Sequence, residues 1–119
     1  MRALLEIAIM KYEQKEMAQA LALMDRGLSI AKEDMRFLTA KGMVYYSVGD
    51  RTQALNFFYR ALAADSEYPL ALYGKGLVLE SLGNFPAARE AYERVLQQPG
   101  GTIDTDDVRQ RLGRLSREQ

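Results

Sequence analysis

"YYSVGDRTQALNFFYRAL" at residues 45–62 and "LESLGNFPAAREAYERVL" at residues 79–96 share few side chains, yet the shared places fall at one offset of 34 residues. Gly49 matches Gly83, Ala54 matches Ala88, Phe58 lies over Tyr92, and Leu62 over Leu96. The same shift joins Ala20 to Ala54, Leu28 to Leu62 and Gly42 to Gly76. The 119 residues thereby divide into units 1–34, 35–68 and 69–102 within a single domain. A self-similar period of this length is the mark of stacked supersecondary units.

Inside a unit the apolar residues recur three and four apart. Leu38, Gly42 and Tyr45 make one such series, and Ala54, Phe58, Ala61 and Leu62 the next. That spacing places them on one face of a helix. Between the two series stand Gly49-Asp50 and, one unit on, Gly83-Asn84. Glycine there supplies a left-handed C-terminal cap, so each unit reads as helix, turn, helix.

This pattern resembles the tetratricopeptide repeat over residues 1–102. The family positions are Leu38, Gly42, Tyr45, Ala54, Phe58 and Ala61 in the second unit, and Leu72, Gly76, Leu79, Ala88, Tyr92 and Val95 in the third. The first unit fits through Leu4, Ile7, Ala8, Ala20, Met24, Gly27 and Leu28, but Lys11 holds the aromatic position and Tyr12 comes one residue late. The family's proline near the end of the second helix is replaced by Lys32, Ser66 and Gly100, with Pro69 and Pro99 nearby. The resemblance implies an all-α, right-handed superhelical α-solenoid of three helix-turn-helix units. Small residues at Gly42, Gly76, Ala20, Ala54 and Ala88 are expected where the two helices of a hairpin cross, with Phe58 and Tyr92 filling the space beside them.

A solenoid has two ends to cover. "TIDTDDVRQRLGRLSREQ" after the break at 97–101 reads as a seventh, capping helix at about 104–117, with Val108, Leu112 and Leu115 on one stripe and Arg109, Arg111, Arg114 and Arg117 mainly on a solvated face. Asp104, Thr105, Asp106 and Asp107 read as an N-cap with acids in the first turn, because the glycine and distal glutamate of a calcium loop are missing. The first helix is apolar almost all round, through Ala3, Leu4, Leu5, Ile7, Ala8, Ile9, Met10 and Tyr12. Three explanations compete for that surface: upstream repeats of a longer protein, a homodimer or self-assembling element joined through this helix, or contact with a ligand.

Composition narrows the function. The chain has no histidine and no cysteine, which removes the commonest general base and the commonest metal ligands and points away from an enzyme, a metal site or a cofactor. Glu13 with Glu16 and Glu90 with Glu93 are the best acid pairs, and their helical spacing suits solvated faces. "YGKG" at 73–76 lies inside a helix and is no phosphate loop. Sixteen basic against sixteen acidic residues leave no net charge to attract nucleic acid. Glu6 interrupts the only signal-like run, and no stretch approaches the ~18 apolar residues of a membrane span, which favours a cytoplasmic location.

The resemblance further implies that the second, fifth, sixth, ninth, twelfth and thirteenth positions of each first helix line a concave groove. The expected partner-binding residues are Leu5, Ile9, Tyr12, Arg36, Thr39, Met43, Tyr46, Leu70, Tyr73 and Leu77. Ala40 and Gly74 should leave a hollow for a ligand side chain, and Tyr12, Tyr46 and Tyr73 should keep wet hydroxyls on the groove wall. Family members that clamp the C-terminal carboxylate of heat-shock proteins use Lys, Asn and Arg at places held here by Leu5, Ile9, Ala40, Leu70 and Gly74. The groove is therefore expected to hold a protein or peptide segment that is apolar. In size and groove character the chain is similar to bacterial chaperones of secretion translocators and to assembly factors of pili and envelope secretion machines.

Overall fold

The computed structural model describes residues 2–98 and 105–117, and among them there are helices and turns and no strand. The helices are α1 (Arg2–Glu13), α2 (Met17–Ile30), α3 (Met35–Ser47), α4 (Arg51–Ala64), α5 (Pro69–Ser81), α6 (Phe85–Leu96) and α7 (Thr105–Arg117). Consecutive helices pack as neighbours, and α1, α3 and α5 also touch in order along one side. The chain is an all-α solenoid, 42 Å along its longest axis. Gly100, Pro99 and Asp104, which the sequence reading involved in turns and capping, lie outside the described residues.

Four helix starts have a local cause. Asp34 caps α3 by accepting from the Arg36 amide at 2.9 Å, and Asp50 caps α4 by accepting from the Gln53 amide at 3.1 Å. Asn84 does the same for α6, through Ala87. Pro69 opens α5, where its missing N–H is one of the amides a helix start leaves unpaired anyway. The breaks between paired helices repeat one geometry. Gly49 has φ 88° and Gly83 has φ 83°, and the next amide, of Asp50 or Asn84, donates back to the carbonyl of Tyr45 or Leu79 at 2.9 Å. Lys15 stands at the corresponding place of the first unit with φ 63°, and the Glu16 amide donates to the Lys11 carbonyl at 2.9 Å. The turn geometry is thus the same where the residue is wrong for it.

Packing between the helices depends on rings laid over glycines. A Cβ added to Gly42 would stand 2.6 Å from the Phe58 ring, and one on Gly76 would stand 2.4 Å from Tyr92, both inside one hairpin. Two further contacts cross between units: Gly27 under Phe37, at 2.3 Å, and Gly74 under Phe58, at 2.4 Å. Phe58 therefore lies between glycines of α3 and α5 and ties two units together. The hollow expected at Gly74 is consequently not there, because Phe58 fills it. Around these rings Ala8, Met24, Phe37, Leu38, Val44, Ala54, Ala61, Leu72, Val78 and Ala88 are all buried.

Surface pairs follow the same offset. Arg60 grips Glu33 at 2.6 Å and Arg94 grips Glu67 at 3.0 Å, each joining the second helix of a unit to the turn that precedes that unit. Both acids are more than half exposed, so these pairs add register and little stability.

Replacing Lys15 with glycine should relieve the left-handed strain. A non-glycine residue there costs roughly 1–2 kcal/mol, partly offset by the added freedom of glycine in the unfolded chain. Lys15→Gly is expected to stabilise the protein by about 1 kcal/mol and to raise Tm by about 4 °C in a thermal melt.

Candidate functional site

The helices α1, α3 and α5 bring part of the expected groove together. Leu5, Ile9 and Tyr12 of α1, Arg36 and Met43 of α3, and Leu70 of α5 line one cavity of about 220 Å³. Ala40 lines it too, as its small size suggested, and Met24 and Tyr68 complete the wall. Met24 belongs to α2 and Tyr68 to the turn before α5, so neither lies on the helix faces from which the groove was read. The only sequence signal for Tyr68 is its repeat position, one unit beyond Asp34 and directly before Pro69.

The wall chemistry is apolar with one balanced charge. Arg36 donates through Nε to Asp34 Oδ1 at 3.1 Å and through Nη2 to Oδ2 at 2.8 Å. That fork holds the Asp34 carboxyl below the usual carboxylate range and raises the guanidinium above its ordinary value. The cation lining the cavity is therefore already neutralised. Burial pushes the Tyr68 hydroxyl up. Tyr12 shares a hydrogen bond with Ser47 Oγ, which ties α1 to α3.

Four expected groove residues are not in this cavity. Thr39 is wholly buried and Leu77 is 6% exposed, so both are withdrawn as contact surface. The Thr39 hydroxyl has no hydrogen-bond partner, and helix contact rather than polarity has claimed that side chain. Tyr46 packs against the cluster of Ala54, Phe58 and Val78. Tyr73 packs against the cluster that holds Leu72, Tyr92, Val108 and Leu115, and its hydroxyl donates to Asp107 of α7. The expectation of a wet hydroxyl is thus corrected for Tyr73, whose hydroxyl is part-buried against Asp107, whereas the Tyr12–Ser47 bond lies at the exposed surface.

The Tyr73 contact belongs to a polar network joining α5, α6 and α7. Tyr92 donates to Glu80 Oε1 at 2.8 Å, Arg111 reaches Glu80 at 3.2 Å, and Arg111 Nε donates to Asp107 at 2.9 Å. Arg111 is therefore no member of a solvated face, contrary to the sequence reading. Burial, with Asp107 adding to it, pushes the Tyr73 hydroxyl up to about 12. The Tyr73 and Arg111 donors hold Asp107 below the usual carboxylate range.

Residues 39–102 match the family model described as tetratricopeptide repeat, and the chain belongs to that family. Among solved structures it is similar to the Sgt2 TPR domain from Aspergillus fumigatus, at 24% identity over 98% of this chain and 77% of that one, with a TM-score of 0.86. It is also similar to the type III secretion translocator chaperone SycD from Yersinia enterocolitica, at 16% identity over 98% and 83% of the two chains, with a TM-score of 0.83. PcrH, solved in complex with the chaperone binding region of PopD, shares 16% identity over 98% and 91%, with a TM-score of 0.84. At these identities the likeness is one of fold. No curated protein matches the chain. No helix among the described residues is long and apolar enough to cross a membrane.

Asp107 gives the α7 seat a pH dependence whose sign is fixed. Its carboxyl is depressed in the fold, so the stabilisation is complete above the unfolded value of about 3.9 and fades as pH falls through the lower folded value. Asp107→Asn is expected to cost about 1 kcal/mol at neutral pH in a denaturant titration. That difference from wild type should shrink below about pH 4 and not above it.

Proposed function

We propose that the protein is a non-enzymatic interaction module that holds an apolar segment of a partner protein in the concave cavity. The observation that carries this reading is the cavity of about 220 Å³ walled by Leu5, Ile9, Met24, Ala40, Met43 and Leu70, with its single cation already paired. A dry engineered cavity of about 150 Å³ accepts benzene, so this space suits one large apolar side chain and part of its neighbour. Methionine and tyrosine walls give contact area that can adapt to the occupant. SycD has been solved with a peptide of the translocator YopD, and PcrH with the chaperone binding region of PopD. Those complexes support placing this chain among chaperones or assembly factors of a secretion or envelope machine. In this reading the three units at 1–34, 35–68 and 69–102 form one binding domain, capped by the helix from about 104 to 117.

A displayed library of short random peptides tests the cavity directly. Selected peptides should be enriched in large apolar residues, and Met43→Glu should weaken them at least tenfold, about 1.4 kcal/mol. Val48→Glu, on an exposed residue outside the cavity, serves as the control. Equal binding by Met43→Glu and wild type, with both folded by circular dichroism, would sink the assignment.

Ile7 and Met10 favour a second reading, self-association through α1. They are 43% and 47% exposed and occupy the repeat positions of Lys41 and Val44, which face α2 across the unit boundary. Ile9 lines the cavity, so it cannot separate this reading from the first. Sedimentation of wild type against Ile7→Glu/Met10→Glu separates them: a dimer that dissociates in the variant supports self-association, and a wild-type monomer at high concentration rejects it.

A further inference from the structure

Counting on by 34 residues from α5 places Asp107 over Tyr73, Arg111 over Leu77 and Arg114 over Glu80. α7 thus sits in the register of a first helix belonging to a fourth unit. Two contacts bear this out physically, because Tyr73 meets Asp107 and Glu80 meets Arg111. The side of α7 where earlier first helices pack on their own second helix is different. Leu38, Gly42 and Tyr45, or Leu72, Gly76 and Leu79, give way to Asp106, Gln110 and Gly113, and the first two are exposed. The stack closes on that side while the concave side continues.

Along the continued side the chemistry changes. The ninth positions run Ile9, Met43, Leu77 and then Arg111, and the twelfth run Tyr12, Tyr46, Glu80 and then Arg114. Asp107, Arg111 and Arg114 are spaced by four and three residues, so they share one stripe of α7. Arg111 is occupied by Glu80 and Asp107. Arg114 is exposed and has no hydrogen bond or ion pair among the described residues. Its field reaches Asp107, which places its charge beside the network.

We infer that the concave binding surface extends onto α7 and that Arg114 receives an acidic side chain of the same partner segment whose apolar residue fills the cavity. This rests on the reading of the cavity as the partner site. Packed helices lie about 8–10 Å apart, so α3 and α7 are separated by roughly 20 Å across the groove. An extended chain covers that distance in about six residues. The segment recognised is therefore one large apolar anchor with an aspartate or glutamate about six residues away.

Fluorescence anisotropy with four labelled synthetic peptides tests this. Each carries a Leu-Phe anchor in a Gly/Ser chain, with Glu or Gln about six residues to its N-terminal or its C-terminal side. One Glu peptide is expected to bind wild type about fivefold more tightly than its Gln counterpart at about 0.1 M salt. The preference should fade at about 1 M salt and reverse toward Gln in Arg114→Glu. Equal affinities for Glu and Gln, with both lost in Met43→Glu, would overturn the extension and leave the cavity reading standing. A Glu preference that survives in Arg114→Glu would overturn the role of Arg114. If no peptide binds saturably, or Met43→Glu changes nothing, the cavity reading fails and the extension with it.

Discussion

The placement of an aromatic ring directly on a glycine is the contact on which the rest of this structure depends. Phe58 lies against Gly42 within its own hairpin and against Gly74 of the next unit. A methyl group at either place would enter the ring, so the approach of three helices is set by two missing side chains. That closeness sets α3 beside α5, and with α1 packed on the other side of α3 the three helices make a concave wall. The cavity follows from the same geometry. Where α3 carries Ala40 the residue one unit before Phe58 is Met24, which lines the cavity without filling it. Where α5 carries Gly74 the ring closes it. Two small residues at equivalent positions thus have opposite effects, decided by whether an aromatic from the neighbouring helix arrives.

That contrast shows what could be read from the residues alone. Helix number, helix starts and the left-handed turns at Gly49 and Gly83 follow from local spacing and from backbone conformations only glycine adopts easily. The cavity residues on the first helices were legible as far as a repeat face is legible. Leu5, Ile9, Tyr12, Arg36, Met43 and Leu70 came from one helical register, and the structure brings them together. Thr39 and Leu77 occupy the same register and are buried. Exposure at an equivalent position depends on what the adjoining unit places against it, and a repeat alignment averages that away. Met24 and Tyr68 were invisible for a related reason, since they enter the cavity from a second helix and from a turn.

The tyrosines show how a hydroxyl changes its meaning with its neighbour. At the groove wall a tyrosine can keep its hydroxyl in water. Tyr73 instead donates to Asp107, because α7 lies beside α5 and supplies an acceptor one unit further on. The pairing commits Asp107, which commits Arg111, which in turn shares Glu80 with Tyr92. Every member has a partner, so this part-buried polar network holds the seat of α7 without leaving an orphaned donor within it. The arginines of α7, alike in sequence, are sorted by the same event. Arg111 becomes structural, whereas Arg114 one turn on keeps its charge toward solvent.

Arg89 makes the remaining point about the two ends of the stack. Leu21 and Leu55 hold the corresponding positions of the first two units, and both pack against buried clusters. Arg89 keeps that place in α6 with its Nε and Nη2 atoms buried and without a hydrogen-bond partner. Burying two guanidinium nitrogens without a protein partner opposes folding, whereas leucine there would favour it. The α7 end of the solenoid therefore combines a satisfied network with two buried guanidinium nitrogens that lack a partner among the described residues, and α7 contributes Val108 and Leu115 to the core. At the other end α1 presents Ile7 and Met10 to solvent. The α7 end is thus held by polar contacts, while α1 shows an apolar patch to solvent.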